Sequence, residues 1–86
     1  MDINELISIV KTKLQSQIKI QNIKIEDKSF LHKGHKNNDE DKFHLKITLI
    51  SSELSGLNKI DSNRKIYKIL EKELNKYIHS LQILIN

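Results

Sequence analysis

Four histidines, at positions 32, 35, 44 and 79, are the side chains of this 86-residue chain best suited to chemistry near neutral pH. Imidazole is the commonest biological metal ligand and titrates close to physiological pH. Two of the four sit in the stretch Ser29-Phe30-Leu31-His32-Lys33-Gly34-His35, spaced His-x-x-His. His44 opens one alternating apolar pattern and His79 opens another. There is no cysteine, which excludes a disulfide framework, a thiol nucleophile and a zinc finger. Histidines kept at segment junctions in a thiol-free chain point to a metal or redox site. Plainer roles compete with that reading. His32 and His35 also suit a solvated loop, and His79 shares the parity of Leu81, Ile83 and Ile85, as a half-buried strand histidine would. His44 alternates outward with Lys46 and Thr48.

The elements that must position these rings are legible from the periodicity. Asp2 is a good N-cap with Glu5 three residues on, and Ile3, Leu6, Ile7, Val10 and Leu14 follow at helical spacing. Residues 2–16 are therefore expected to form an amphipathic helix, with Lys11 and Lys13 placed to suit the negative end of its dipole. From Ile18 the period shortens, and a strand is expected over about 22–28 after an extended connection or bulge. Residues 33–42 hold no apolar side chain and read as an exposed loop between strands. Phe43, Leu45, Ile47 and Leu49 then alternate with polar residues as a half-buried strand.

Ser51-Ser52-Glu53-Leu54-Ser55-Gly56-Leu57 looks like a capped turn closed by Gly56. A longer helix is expected to start at Asp61 or Ser62, with a core stripe of Ile66, Ile69, Leu70, Leu74 and Tyr77. Lys65, Lys68, Lys72 and Lys76 lie on another face, diluted by Glu71 and Glu73, and read first as a solvated surface. Leu81, Ile83 and Ile85 make a last strand opened by His79. The expected architecture is α+β: a two-layer sandwich in the order α-β-β-α-α-β, with a three-stranded sheet carrying helices on one face. The first two strands should pair antiparallel across the long loop. That order is shared with the KH domain in its α-first (class II) arrangement. Yet Gly34 and Gly56, the two glycines, cannot make the Gly-x-x-Gly loop that clamps RNA. Phe43, Tyr67 and Tyr77 read as packing residues, with Phe30 the exposed exception.

Composition bounds the function classes. Eighty-six residues suit a single domain spanning 1–86 with a thin core, and 37% hydrophobic residues suit a folded chain. The acidic, amphipathic start argues against a signal peptide, and no apolar run reaches the roughly 18–20 residues that span a bilayer. A cytoplasmic protein without membrane contact is expected. The net charge of +4 comes almost wholly from lysine, with Arg64 the single arginine. Arginine is the usual reader of guanine edges, so the chain is poorly equipped for sequence-specific DNA recognition.

Five segments in order carry a family resemblance. Asp27-Lys28-Ser29-Phe30-Leu31-His32-Lys33-Gly34-His35 follows the first strand, and Phe43-His44-Leu45 opens a second that ends in Ser51-Ser52. Glu53-Leu54-Ser55-Gly56-Leu57 makes the short turn, Ser62-Asn63-Arg64-Lys65-Ile66-Tyr67 opens the helix, and His79-Ser80-Leu81 opens the last strand. Over nearly its whole length the chain resembles the BolA family. Its members carry Asp-Glu-Ser-His-x-His-x-Gly-His, Thr-His-Phe, a short helical turn, Arg-His-Arg-x-Val-Tyr and His-Ala-Leu at these places.

The resemblance implies a partnership with a monothiol glutaredoxin and a shared 2Fe–2S cluster, held only in the complex and absent from the isolated chain. In that family the BolA partner supplies one loop histidine and one from the start of the last strand. The glutaredoxin supplies its cysteine and a bound glutathione thiol. Carried onto this chain, the ligands are His79 and His32, which keeps the Ser-x-x-His spacing from Ser29, with His35 as the alternative. His44 becomes a residue that orients the loop or supports a ligand, and Phe30 and Arg64 become partner contacts. Imidazole in place of thiolate raises a cluster's potential and makes it more labile. Ligation needs the neutral ring, so binding should weaken below the ordinary imidazole value of about 6.5.

The departures from the pattern matter as well. Ser62 and Asn63 stand where the family has arginine and histidine, which weakens a DNA-binding face built from Arg64, Lys65, Lys68 and Lys72. Phe30 replaces a loop histidine, and Lys33 makes the loop more basic. Three classes follow: an interaction protein in iron–sulfur or iron homeostasis, a DNA-binding regulator using the basic helical face, and, least, a metal-dependent hydrolase. The last needs a carboxylate held in a pocket, and residues 39–41 lie in the polar loop. Alone, the chain is expected as a monomer or weak homodimer.

Overall fold

A computed structural model describes residues 1–29 and 43–86. The first helix, α1 (Ile3–Gln17), starts where Asp2 accepts a hydrogen bond from the Glu5 N–H at 2.8 Å. That bond satisfies one of the four N–H groups a helix start leaves without an internal partner. Leu6, Val10 and Leu14, each a turn apart, form its buried stripe. The helix ends because Ile18 turns to extended geometry and drops its own side chain into the core. Neither Lys11 nor Lys13 falls in the last turn. Lys13 instead reaches sideways to Glu73, so its dipole role is replaced by an ion pair.

Strands β1 (Asn22–Asp27) and β2 (Phe43–Ile50) pair antiparallel, with Ile23 opposite Leu49 and Ile25 opposite Ile47. The first strand thus stops one residue short of the expected end. Strand β3 (Ile78–Ile85) lies on the other side of β2 and parallel to it, giving the order β1-β2-β3. Parallel pairing requires a long crossover, and residues 51–77 provide it.

That crossover holds a single 3-10 turn at Leu54–Gly56, then α2 (Lys59–Ile69) and α3 (Glu71–Lys76). The long helix expected from Asp61 or Ser62 differs at both ends. It begins at Lys59 because Asn58, not Asp61, is the cap: its side chain accepts from the Asp61 N–H at 2.8 Å. It also breaks at Leu70, whose backbone leaves helical geometry (φ −97°, ψ 14°) while its side chain stays fully buried. The stripe of Ile66, Leu70 and Leu74 is therefore shared between two helices.

Leu6, Val10 and Leu14 of α1 and Ile66 of α2 form one core with Leu45, Ile47 and Leu49 of β2 and with Leu54, Leu70 and Ile78. Burying each such aliphatic side chain stabilises the fold by roughly 1.5–3 kcal/mol, so this cluster is what holds the helices on one face of the sheet. The α+β reading holds.

Candidate functional site

The described half of the histidine site is built on an irregularity in the sheet. Phe43 pairs with Ile78, but the next pair along is His44 with Ser80. β3 therefore carries one residue more than β2 at this point, and that residue is His79. A bulge leaves its extra residue out of the ladder and re-aims the side chain. Parity with Leu81 would have turned His79 toward the helices. Instead Ile78 takes the buried place, and His79 is exposed.

His44 is the surprise on the other strand. Its alternation with Lys46 and Thr48 places it on the helix-free face, yet only 5% of it is accessible. Its Nδ1 shares a 2.7 Å hydrogen bond with Ser80 Oγ. Its ring meets that of His79 edge to face, with centroids 5.0 Å apart and planes inclined at 62°.

The backbone of His44 ties in the start of the loop as well. Its N–H donates to Ser29 Oγ at 3.1 Å, and its carbonyl accepts from the Lys28 N–H at 2.7 Å. The Ser29 N–H in turn donates to Asp27 Oδ1 at 2.9 Å, a local turn that fixes how the chain leaves β1. One residue therefore links the root of the loop, the last strand and the exposed ring of His79. The other candidates on the loop, Phe30, His32, Lys33 and His35, lie outside the described residues.

Ser29 enters the sequence reading only through its Ser-x-x-His spacing to His32, and Ser80 carries no signal of its own. A serine beside a histidine becomes informative only once register places Ser80 opposite His44. Among the described residues no three metal-ligating side chains gather at one point. The imidazole pair is the local set. Exposed imidazole without thiolate fits a ligand completed from elsewhere, and the chain has no cysteine to complete it.

The basic face is less concentrated than its sequence spacing suggests. Arg64, Lys68 and Lys72 are exposed, but Lys65 is paired with Glu53, and the break at Leu70 divides the stripe between α2 and α3. Lys65, together with the Lys19 N–H, holds the Glu53 carboxyl below the usual carboxylate range. Lys24, helped by Lys28, does the same for Glu26. Ser62, standing where the BolA pattern has arginine, is buried and donates to the Leu54 carbonyl at 3.1 Å, so it braces the 3-10 turn. Glu73, expected as a surface diluent of the basic stripe, is buried and paired with Lys13. A cleft of about 450 Å³ lies between the end of β3 and the start of α2, and among the described residues Lys59 is the one ionisable side chain lining it.

Comparison with known proteins decides the family. Residues 14–86 match the family model described as BolA-like protein. The chain belongs to the BolA-like family.

It is 32% identical over 79 residues to BOLA1, a chloroplastic protein of Arabidopsis thaliana, covering 88% of this chain and 49% of that one. The solved structure of Arabidopsis BolA1 superposes with a TM-score of 0.78 at 30% identity, covering 92% of this chain and 87% of that one. The DNA-binding transcriptional regulator BolA of Haemophilus influenzae is 28% identical over 75 residues, 87% of this chain and 70% of that protein. The BolA domain of Arabidopsis SufE1 also superposes at 0.78, with 26% identity and coverage of 92% and 87%. This chain spans about half the length of the Arabidopsis BOLA1 sequence it matches. Among the described residues of this BolA-like protein, no helix is long and apolar enough to cross a membrane.

Proposed function

We propose that this BolA-like protein is a non-enzymatic partner of a monothiol glutaredoxin, with which it shares or transfers a 2Fe–2S cluster in iron–sulfur or iron homeostasis. The observation that carries this reading is the placement of His79. A bulge lifts it out of the ladder to an exposed position, and its ring rests on His44, the residue whose N–H is bonded to the root of the loop at Ser29.

In this reading His79 and one loop histidine, His32 with His35 as alternate, are the chain's ligands. The partner's cysteine and a glutathione thiol supply the sulfur this chain lacks. Phe30 and Arg64 serve as partner contacts, and the working compartment is the cytoplasm. Coexpression with a monothiol glutaredoxin in the presence of glutathione tests it. A coloured heterodimer should elute as one species, and a colourless mixture that never co-elutes would refute the pairing.

A second reading draws on the printed name of the Haemophilus relative, a DNA-binding transcriptional regulator. Here it would use Arg64, Lys68 and Lys72, with Lys65 weakened by its engagement with Glu53. Binding to duplex DNA at rising salt distinguishes the two. Affinity made only of lysine–phosphate contacts falls steeply with ionic strength, whereas a site-specific regulator keeps a tight preferred sequence.

A further inference from the structure

A bulge re-aims a side chain but does not hold it still. Around His79 one ring contact does the holding, and two features of His44 support it. The His44 ring packs edge to face on it, Ser80 Oγ fixes the Nδ1 side of the His44 ring at 2.7 Å, and His44 itself is buried. The same bond joins the two residues that the register places opposite each other. With Ser80 locked opposite His44, the extra residue in β3 must be His79 and no neighbour. A slip of one residue would place His79 opposite His44 and abolish the bulge.

We infer that His44 and Ser80 form a cross-strand clasp that holds the His79 ring in place as a ligand before any partner arrives. They are positioning residues, and the inference rests on the ligand reading of His79 given above. Because His44 also holds Ser29 through its N–H, the clasp orders the root of the loop together with the last-strand ligand. Groups that orient a metal-binding imidazole typically contribute 10- to 100-fold to metal affinity, although they never touch the metal.

Ser80 is exposed, so Ser80→Ala removes the clasp with little disturbance of the core, and Ser80→Thr restores a hydroxyl on a residue well suited to a strand. The 86-residue chain is used throughout. Two quantities are read beside the thermal unfolding midpoint. One is the rotamer averaging of the His79 ring, by NMR of the isolated protein. The other is the rate of cluster loss from the glutaredoxin–glutathione complex, by visible circular dichroism.

In Ser80→Ala, the His79 ring is expected to average among rotamers and the complex to lose its cluster about 10-fold faster, the low end for groups that orient a metal-binding imidazole, because Ser80 acts through His44. Ser80→Thr should return both toward wild type. If the midpoint also falls, ring averaging measured well below it decides between a clasp and a general loss of fold. A His79 ring as ordered in Ser80→Ala as in wild type, with cluster loss unchanged, overturns the clasp. His79→Ala separates the two levels. If it leaves cluster loss unchanged, the ligand reading itself fails; if it accelerates loss while Ser80→Ala does not, only the clasp fails.

Discussion

Lys13 on α1 grips both carboxylate oxygens of Glu73 on α3, at 2.9 and 2.8 Å. Glu73 is almost fully buried, while Lys13 keeps about a third of its side chain in solvent. The pair matters to the site because the Glu73 carbonyl accepts from the Tyr77 N–H, and the Tyr77 carbonyl accepts from the Phe43 N–H. The ion pair thus anchors the short helix that delivers the chain to the parallel pairing and then to His79.

Removing the lysine leaves a buried carboxylate without its counter-charge, which costs more than losing the bond itself. Lys13→Met is expected to destabilise the protein by about 2–3 kcal/mol, because partial solvent access at Lys13 softens the full penalty of a broken buried pair. The double variant Lys13→Met/Glu73→Leu should recover most of that loss. Urea unfolding of the three proteins measures it.

Leu70 sits fully buried at the junction of α2 and α3. Leu70→Ala should cost about 2–5 kcal/mol, the usual range for truncating a buried leucine. A domain of this size has a total stability of order 5–10 kcal/mol, so the variant should be largely unfolded at modest urea concentrations. A loss under 1 kcal/mol would mean that the break closes up around the smaller side chain.

Glu53 gives a pH prediction with a definite sign. Lys65 and the Lys19 N–H lower its carboxyl in the folded state, while in the unfolded chain it titrates near the reference value of about 4.3. Its contribution is therefore fully present above that value and is lost as pH falls through the lower folded one. Glu53→Gln should flatten stability against pH below roughly pH 5, where titration around the reference value of about 4.3 sets in. Unfolding midpoints compared between pH 3 and pH 7 (a range of about four units around that reference) check it.

Asn58 and Asp61 illustrate what the sequence could and could not disclose. Both residues are good cap types, and periodicity alone favoured a start at Asp61 or Ser62. Only the structure shows Asn58 accepting from the Asp61 N–H. Asn58→Ala should cost about 1 kcal/mol, whereas Asp61→Ala, in the first turn, should cost less. The same limit explains the other differences. The apolar spacing of Leu6, Val10 and Leu14 or of Leu45, Ile47 and Leu49 is a local signal, so α1, β2 and the α+β order were readable.

The bulge at His79, the burial of His44 and the pairing of Glu73 with Lys13 depend on register and on segments tens of residues apart. No local pattern encodes them. Strict parity put His79 with Leu81 and Ile83, and one extra residue in β3 undid that. Alternation alone turns His44 outward, and its burial against Ser80 and His79 comes only with the strand register.

The cluster-sharing function proposed above requires a ring nitrogen of His79 to bind the cluster. Pulsed electron paramagnetic resonance of the reduced, glutaredoxin-bound complex measures this directly through coupling of the unpaired electron to imidazole nitrogen. Wild type should show two histidine nitrogens, and His79→Ala should lose one coupling while the protein keeps its fold by circular dichroism. Identical nitrogen couplings in wild type and His79→Ala would rule out His79 as a ligand.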